Sequence, residues 1–96
     1  MAVYLIADIE VREPERYKAY VESVPALIAK HGGTYRVRGG EVTALEGGWS
    51  PGRLIVLEFP DRAAALAFYN DPRYAPFRTL RQSTTDTQLV LAEGHG

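Results

Sequence analysis

The sequence predicts an α+β fold: an antiparallel sheet with helices packed on one of its faces. Three observations carry that expectation. Segments 3–11 and 53–59 show the period of two that belongs to strands, while the segment between 14 and 30 repeats its bulky residues at helical spacing. A second helical stretch and a last alternating segment follow. Three glycine pairs, Gly32-Gly33, Gly39-Gly40 and Gly47-Gly48, punctuate the middle of the chain. Glycine takes positive φ or a bulge without steric cost, so paired glycines mark bends and tight turns.

In the first strand Val3, Leu5, Ala7, Ile9 and Val11 make one apolar face, and Tyr4, Ile6, Asp8 and Glu10 make the other. Pro14 suits the first position of a helix and Glu15 its positive end. The stripe Tyr17, Tyr20/Val21, Val24, Leu27/Ile28 follows, with a kink expected at Pro25 and termination at Gly32-Gly33. Residues 34–38 and 41–46 read as two halves of one strand bent at Gly39-Gly40; a two-residue hairpin there is the alternative. A turn over 47–52 leads into the strand 53–59. Asp61 can cap a second helix from Arg62, and Asp71-Pro72 restarts it with Tyr74, Phe77, Leu80 and Arg81. A last strand over 87–92 precedes a glycine-rich tail holding His95, expected to fray. The order β-α-β-β-α-β is the ferredoxin-like plan.

Length and composition narrow the function classes. The 96 residues suit one domain over 1–96, with 46% hydrophobic and 24% charged residues. A net charge of −1 without charge runs argues against nucleic acid or an anionic membrane as partner. The absence of cysteine excludes disulfides, thiolate catalysis and zinc–sulfur sites. No signal-like or membrane-length apolar segment is evident, so a cytoplasmic protein is the default expectation.

Two helices can cover one face of a four-stranded sheet. The strand 53–59 is nevertheless apolar on both faces, and Tyr4 and Ile6 extend the second apolar face. A second copy of the chain is the simplest cover, so a homodimer through the sheets is expected.

Alternation places Asp8, Glu58, Arg36 and Arg38 together on that second face. Such a set reads either as an ion-pair network lining a dimer core or as a polar pocket with Arg38 as anion clamp and a carboxylate as base. His31 falls at the C-terminal end of the first helix, where the dipole favours a protonated imidazole; its other reading is proton transfer. With His95 in the tail and no cysteine, no metal site is expected. Gly47 to Arg53 imitates a phosphate-binding loop but has arginine for lysine, Leu54 for serine or threonine, and a strand where a helix should open. Trp49 on that turn is a lid or a dimer anchor. Tyr17, Tyr20, Tyr69 and Tyr74 supply aromatic area, with hydroxyls that need partners when buried.

Tyr17-x-x-Tyr20, Pro25, His31-Gly32-Gly33, Tyr35, Arg38-Gly39-Gly40, Leu45-Glu46-Gly47, Trp49 and Arg53 stand in order, followed by Glu58-Phe59-Pro60, Phe68-Tyr69, Tyr74 and Arg81. This set, spanning about residues 3–94, resembles a small bacterial family catalogued as domain of unknown function thirteen-thirty. Phe68 departs from it, since a tryptophan commonly stands there. The resemblance implies a dimeric α+β barrel, two ferredoxin-like units packed sheet to sheet. That superfamily also holds cofactor-independent monooxygenases, isomerases, haem-dependent dismutases and non-catalytic binders, so fold does not decide function.

The expected function is a homodimeric small-molecule-binding protein, or a cofactor-independent enzyme acting on a small aromatic or apolar acid. Its pocket lies between sheet and helices. Arg38 and Arg53 orient an anionic group, Glu58 adds a polar contact, His31 or Asp8 moves a proton, and Trp49, Tyr17 and Tyr69 form walls. No cofactor is expected. The competing reading is a non-catalytic dimeric module without a ligand; haem binding through His31 is a third.

Overall fold

The computed structural model describes residues 1–96. The elements are β1 (Val3–Val11), α1 (Pro14–Lys30), β2 (Thr34–Arg38), β3 (Arg53–Phe59), α2 (Arg62–Tyr69), α3 (Ala75–Thr84) and β4 (Thr85–Glu93). The strands form one antiparallel sheet in the order β2-β3-β1-β4, the ferredoxin-like arrangement. Its helix-facing side pairs Leu5 with Leu57 and Ala7 with Ile55; its outer side pairs Ile6 with Val56 and Asp8 with Leu54.

The core follows from that register. Val3, Leu5, Ala7, Ile9, Ile55, Leu57 and Phe59 are buried against Tyr17, Val24 and Ile28 of α1 and against Ala65, Phe68 and Tyr74. Each large apolar side chain so removed from water contributes about 1.5–3 kcal/mol. With one sheet layer and one helix layer the molecule is 16 Å thick, so nothing within the chain covers the outer side.

Local signals fix the helices. Pro14 starts α1 and Glu15 lies in its first turn. Gly32, at φ +80°, turns the chain out of it. The Asp61 side chain caps α2 by accepting from Ala64 N–H at 2.8 Å. The helical region does restart after Asp71-Pro72, giving α2 and α3 as separate helices. Helix α1 runs through Pro25, whose missing N–H leaves the Val21 carbonyl without its helical donor.

Three expectations are corrected. Residues 41–46 are not a strand: β2 ends at Arg38, and 39–52 form an irregular loop with an exposed stretch from 39 to 50. Gly39 donates its N–H to Leu54 O at 2.8 Å and then, at φ +68°, turns the chain off the sheet, so nothing lies beside 41–46 to pair with. Nor does Arg38 share the outer side with Asp8, Arg36 and Glu58. Tyr35 pairs with Leu57 but Val37 with Val56, so Arg36 is an extra residue in a β-bulge. Val37 thus shares its partner Val56's outer side, and Arg38, opposite Ile55, turns to the helix side. The last strand starts at Thr85, two residues earlier than alternation suggests.

Candidate functional site

A cavity of about 50 Å³ lies between the sheet and the helices, several times the roughly 10–15 Å³ that one water needs. Leu5, Ala7, Ile9, Ile55 and Leu57 make its floor, and Val21, Ile28 and Phe68 add apolar wall. Its polar rim is cationic and phenolic. Arg38, Arg53 and Arg81 line it together with Tyr17, Tyr20, Tyr35, Tyr69 and Tyr74, and no aspartate, glutamate or histidine does.

Each arginine arrives by a different local device. Arg53 is the first residue of β3, opposite Ile9, and so points to the helix side. Its Nε is buried and has no hydrogen-bond partner. A Cβ on Gly39 would stand 2.6 Å from Arg53 Nη1, so the absence of a side chain there makes room for the guanidinium. Arg38 is brought over by the bulge; its guanidinium lies 4.6 Å from the Tyr35 ring centre, and Nη2 donates over 3.4 Å to Val21 O. That carbonyl is the one Pro25 leaves free. Arg38 is exposed, so the cavity meets solvent on its side. Arg81 is only 5% exposed and reaches the cavity from α3. Burial works against its charge, and the oxygens of Tyr74 and Tyr20 outweigh it, which sets its pKa above the ordinary value.

The tyrosines are neutral donors. Tyr17 stacks on Tyr20 with ring centres 5.2 Å apart. The Tyr20 and Tyr74 hydroxyls share a 2.6 Å hydrogen bond, which uses one of their two protons. Burial, then the Tyr74 neighbour, pushes the Tyr20 phenol far above its ordinary pKa. Burial also raises the pKa of Tyr17 and of Tyr35, against the opposing pull of Arg53 on Tyr17 and of Arg38 on Tyr35. Tyr69 is held from behind: Arg78 Nη1 donates to its carbonyl at 2.7 Å and stacks over its ring.

Of the residues singled out from the sequence, the structure brings Arg38, Arg53, Tyr17 and Tyr69 to this cavity. It does not bring His31, Asp8, Glu58 or Trp49 there. His31 Nε2 meets Asp71 Oδ2 at 2.8 Å and ties the end of α1 to the turn before α3. Asp71 is buried and also accepts from Arg73 Nη2 at 2.7 Å. Hydrogen bonds from Arg73, then from His31, hold its carboxyl well below the ordinary range. Asp8 accepts from Trp49 Nε1 at 3.0 Å and from Gly52 N–H at 2.9 Å, tethering the 39–52 loop to the outer side. Glu58 pairs with Arg36 at 3.1 Å. Tyr20, Tyr74, Tyr35 and Arg81, which the sequence reading named without giving them a place among the ligand-site residues, also line the cavity.

The profile of a family described as Domain of unknown function (DUF1330) matches residues 2–95. A protein of unknown function from Rhodopseudomonas palustris has a similar structure, with TM-score 0.80 and 20% identity over 99% of this chain and 83% of that one. SnoaB, a cofactor-independent oxygenase from Streptomyces nogalater, matches with TM-score 0.63 and 15% identity over 99% and 94% of the two chains. A dimeric ferredoxin-like protein of unknown function from Jannaschia sp. gives 0.64 and 15% over 98% and 100%. At these identities the likeness shows the fold. None of the curated proteins matches the chain by sequence.

Proposed function

The chain belongs to the Domain of unknown function (DUF1330) family, and on that footing we propose that it is a homodimeric small-molecule-binding protein whose ligand is a small organic anion. The observation that carries this reading is Arg53: a guanidinium with a buried, unpartnered Nε, beside two further arginines and no carboxylate, in a cavity whose remaining lining is aliphatic and aromatic. A buried donor without an acceptor is costly, and a guanidinium with no carboxylate beside it in the cavity lacks a counter-charge as well. An anionic ligand relieves both. A carboxylate facing Arg53 and Arg38 takes the paired N–H geometry that guanidinium offers, and the Tyr17 and Tyr69 rings suit an apolar or aromatic body.

A second copy covers the outer side, where Tyr4, Ile6, Leu54 and Val56 are half-buried and Val90 is exposed. The dimeric relative from Jannaschia sp. supports that assembly. The cofactor-independent oxygenase among the structural neighbours supports a reading in which any chemistry is done on the ligand without a cofactor. His31 and Asp8, engaged with Asp71 and with Trp49, serve in this reading to hold the fold around the cavity.

Calorimetric titration with benzoate tests the proposal. Saturable binding by the wild type, weakened about tenfold or more in Arg53→Met, is expected from loss of a charge-assisted hydrogen bond. Binding that is absent, or equal in the two proteins, contradicts it.

A further inference from the structure

The cavity has no group able to accept a proton near neutral pH. The groups that face it are Arg53 from β3, Arg38 and Tyr35 from β2, Arg81 from α3, Tyr17 and Tyr20 from α1, Tyr69 from α2 and Tyr74 from the turn before α3. The arginines are permanent cations, and the phenols can donate. Arg53 Nε offers one unused donor, and the Tyr20–Tyr74 pair keeps one hydroxyl proton free. A wall composed in this way favours a negatively charged oxygen over a hydroxyl, because several donors and no carboxylate line it; the carboxylates of Asp8, Glu10 and Asp86 line the adjoining cleft, which shares Tyr69 and Arg81 with the cavity.

The geometry points to weak oxygen acids, phenols and enols, as the ligand class, taken up as their anions, with the arginine cluster supplying the driving force that a protein base would otherwise supply. The O–H bond breaks heterolytically, its electron pair stays on the ligand oxygen, and the proton passes to solvent on the open side beside Arg38. No redox partner is required for this step. The enolate or phenolate so formed is electron-rich, the form in which such compounds react with electrophiles. This inference rests on the anion-binding reading given above and adds the ionisation of the ligand to it.

Two effects oppose one another in the cavity, and their balance decides the matter. Burial alone raises the pKa of a bound phenol, whereas guanidinium groups within a few ångströms lower it by about 1–3 units. The test is a spectrophotometric pH titration of 4-nitrophenol, whose anion is yellow, with the protein in excess. The expected result is an apparent pKa about one unit or more below that of free 4-nitrophenol, with the shift reduced in Arg53→Met and in the solvent-side variant Arg38→Met. Competition with benzoate separates the two proposals. If benzoate displaces 4-nitrophenol but the bound phenol titrates at or above its free value, the ionisation inference falls and the anion site stands. If neither compound binds, both fall. Should Arg53→Met fail to fold, Arg38→Met alone decides, since an unchanged shift in that variant contradicts a role for the cluster.

Discussion

Arg53, on β3, and Asp71, in the turn before α3, both have buried polar atoms, and they are expected to respond to substitution in opposite ways. Asp71 has every oxygen engaged, by His31 and Arg73, so Asp71→Asn removes paired interactions and should lower the melting temperature at neutral pH. The pH dependence has a definite sign. A carboxyl whose folded pKa is depressed contributes stability that is complete above the ordinary carboxylate range and is lost as pH falls below about 4. Thermal melts from pH 6 to pH 2 should therefore fall more steeply for the wild type than for Asp71→Asn; parallel curves would contradict the clasp. Arg53 has a donor with no partner, so Arg53→Met should leave the melting temperature of the ligand-free protein unchanged or raise it, while anion binding is lost. A large destabilisation would instead assign Arg53 to the fold. The phenols work at the other end of the scale. Tyr17, Tyr20 and Tyr35 have raised pKa values in the folded state, so the unfolded chain releases protons first, and stability should be lost as pH rises beyond about 10. Absorbance of tyrosinate should appear together with loss of far-ultraviolet ellipticity, and Tyr20→Phe should soften that limb.

Most of the elements were legible because each leaves a periodic mark: the alternation of β1 and β3, the stripe of α1 and the Asp61 cap all translate directly into the observed structure. Two features left no such mark. A bulge costs one residue and no particular composition, so extrapolating alternation from Tyr35 assigns Arg38 to the wrong side. Residues 41–46 alternate well enough for a strand, but pairing needs a neighbour, and the turn at Gly39 removes it. Arg81 could have been found: it stands four residues after Phe77 and seven after Tyr74, an arginine where the helical stripe calls for an apolar residue. Pro25 connects an element to the site. Pro25→Ala restores a helical donor for the Val21 carbonyl and should stabilise the helix by up to about 3 kcal/mol, while setting a second donor in competition with Arg38 Nη2 for that oxygen. A higher melting temperature combined with weaker benzoate binding is the expected pair of results. Unchanged binding would detach Pro25 from the cavity. Gly39→Ala should be harmful on both counts, because its φ of +68° is strained for alanine and its Cβ would collide with Arg53 Nη1.

The whole molecule is two layers with different tasks. The helix layer closes over the cavity; the outer side of the sheet, with Leu45 at 89% and Trp49 at 62% exposure on the adjoining loop, presents apolar area to the surroundings. A chain this short buries only about 60–70% of the surface its unfolded form exposes, so association supplies burial that the monomer lacks. Sedimentation at micromolar concentration should show a dimer, and Val56→Glu, placing a charge at the centre of the outer side, should shift it toward monomer without emptying the cavity. A wild-type monomer would contradict the assembly. The anion site is independent of that outcome, since its lining residues come from a single chain. Its most direct test is a crystal structure of the protein soaked in 4-iodobenzoate, with the iodine located by anomalous scattering. The expected result is a ring between Tyr17 and Tyr69 and a carboxylate within hydrogen-bonding distance of the Arg53 guanidinium; iodine found only outside the helix–sheet cavity, or its absence at saturating concentration, would contradict the account.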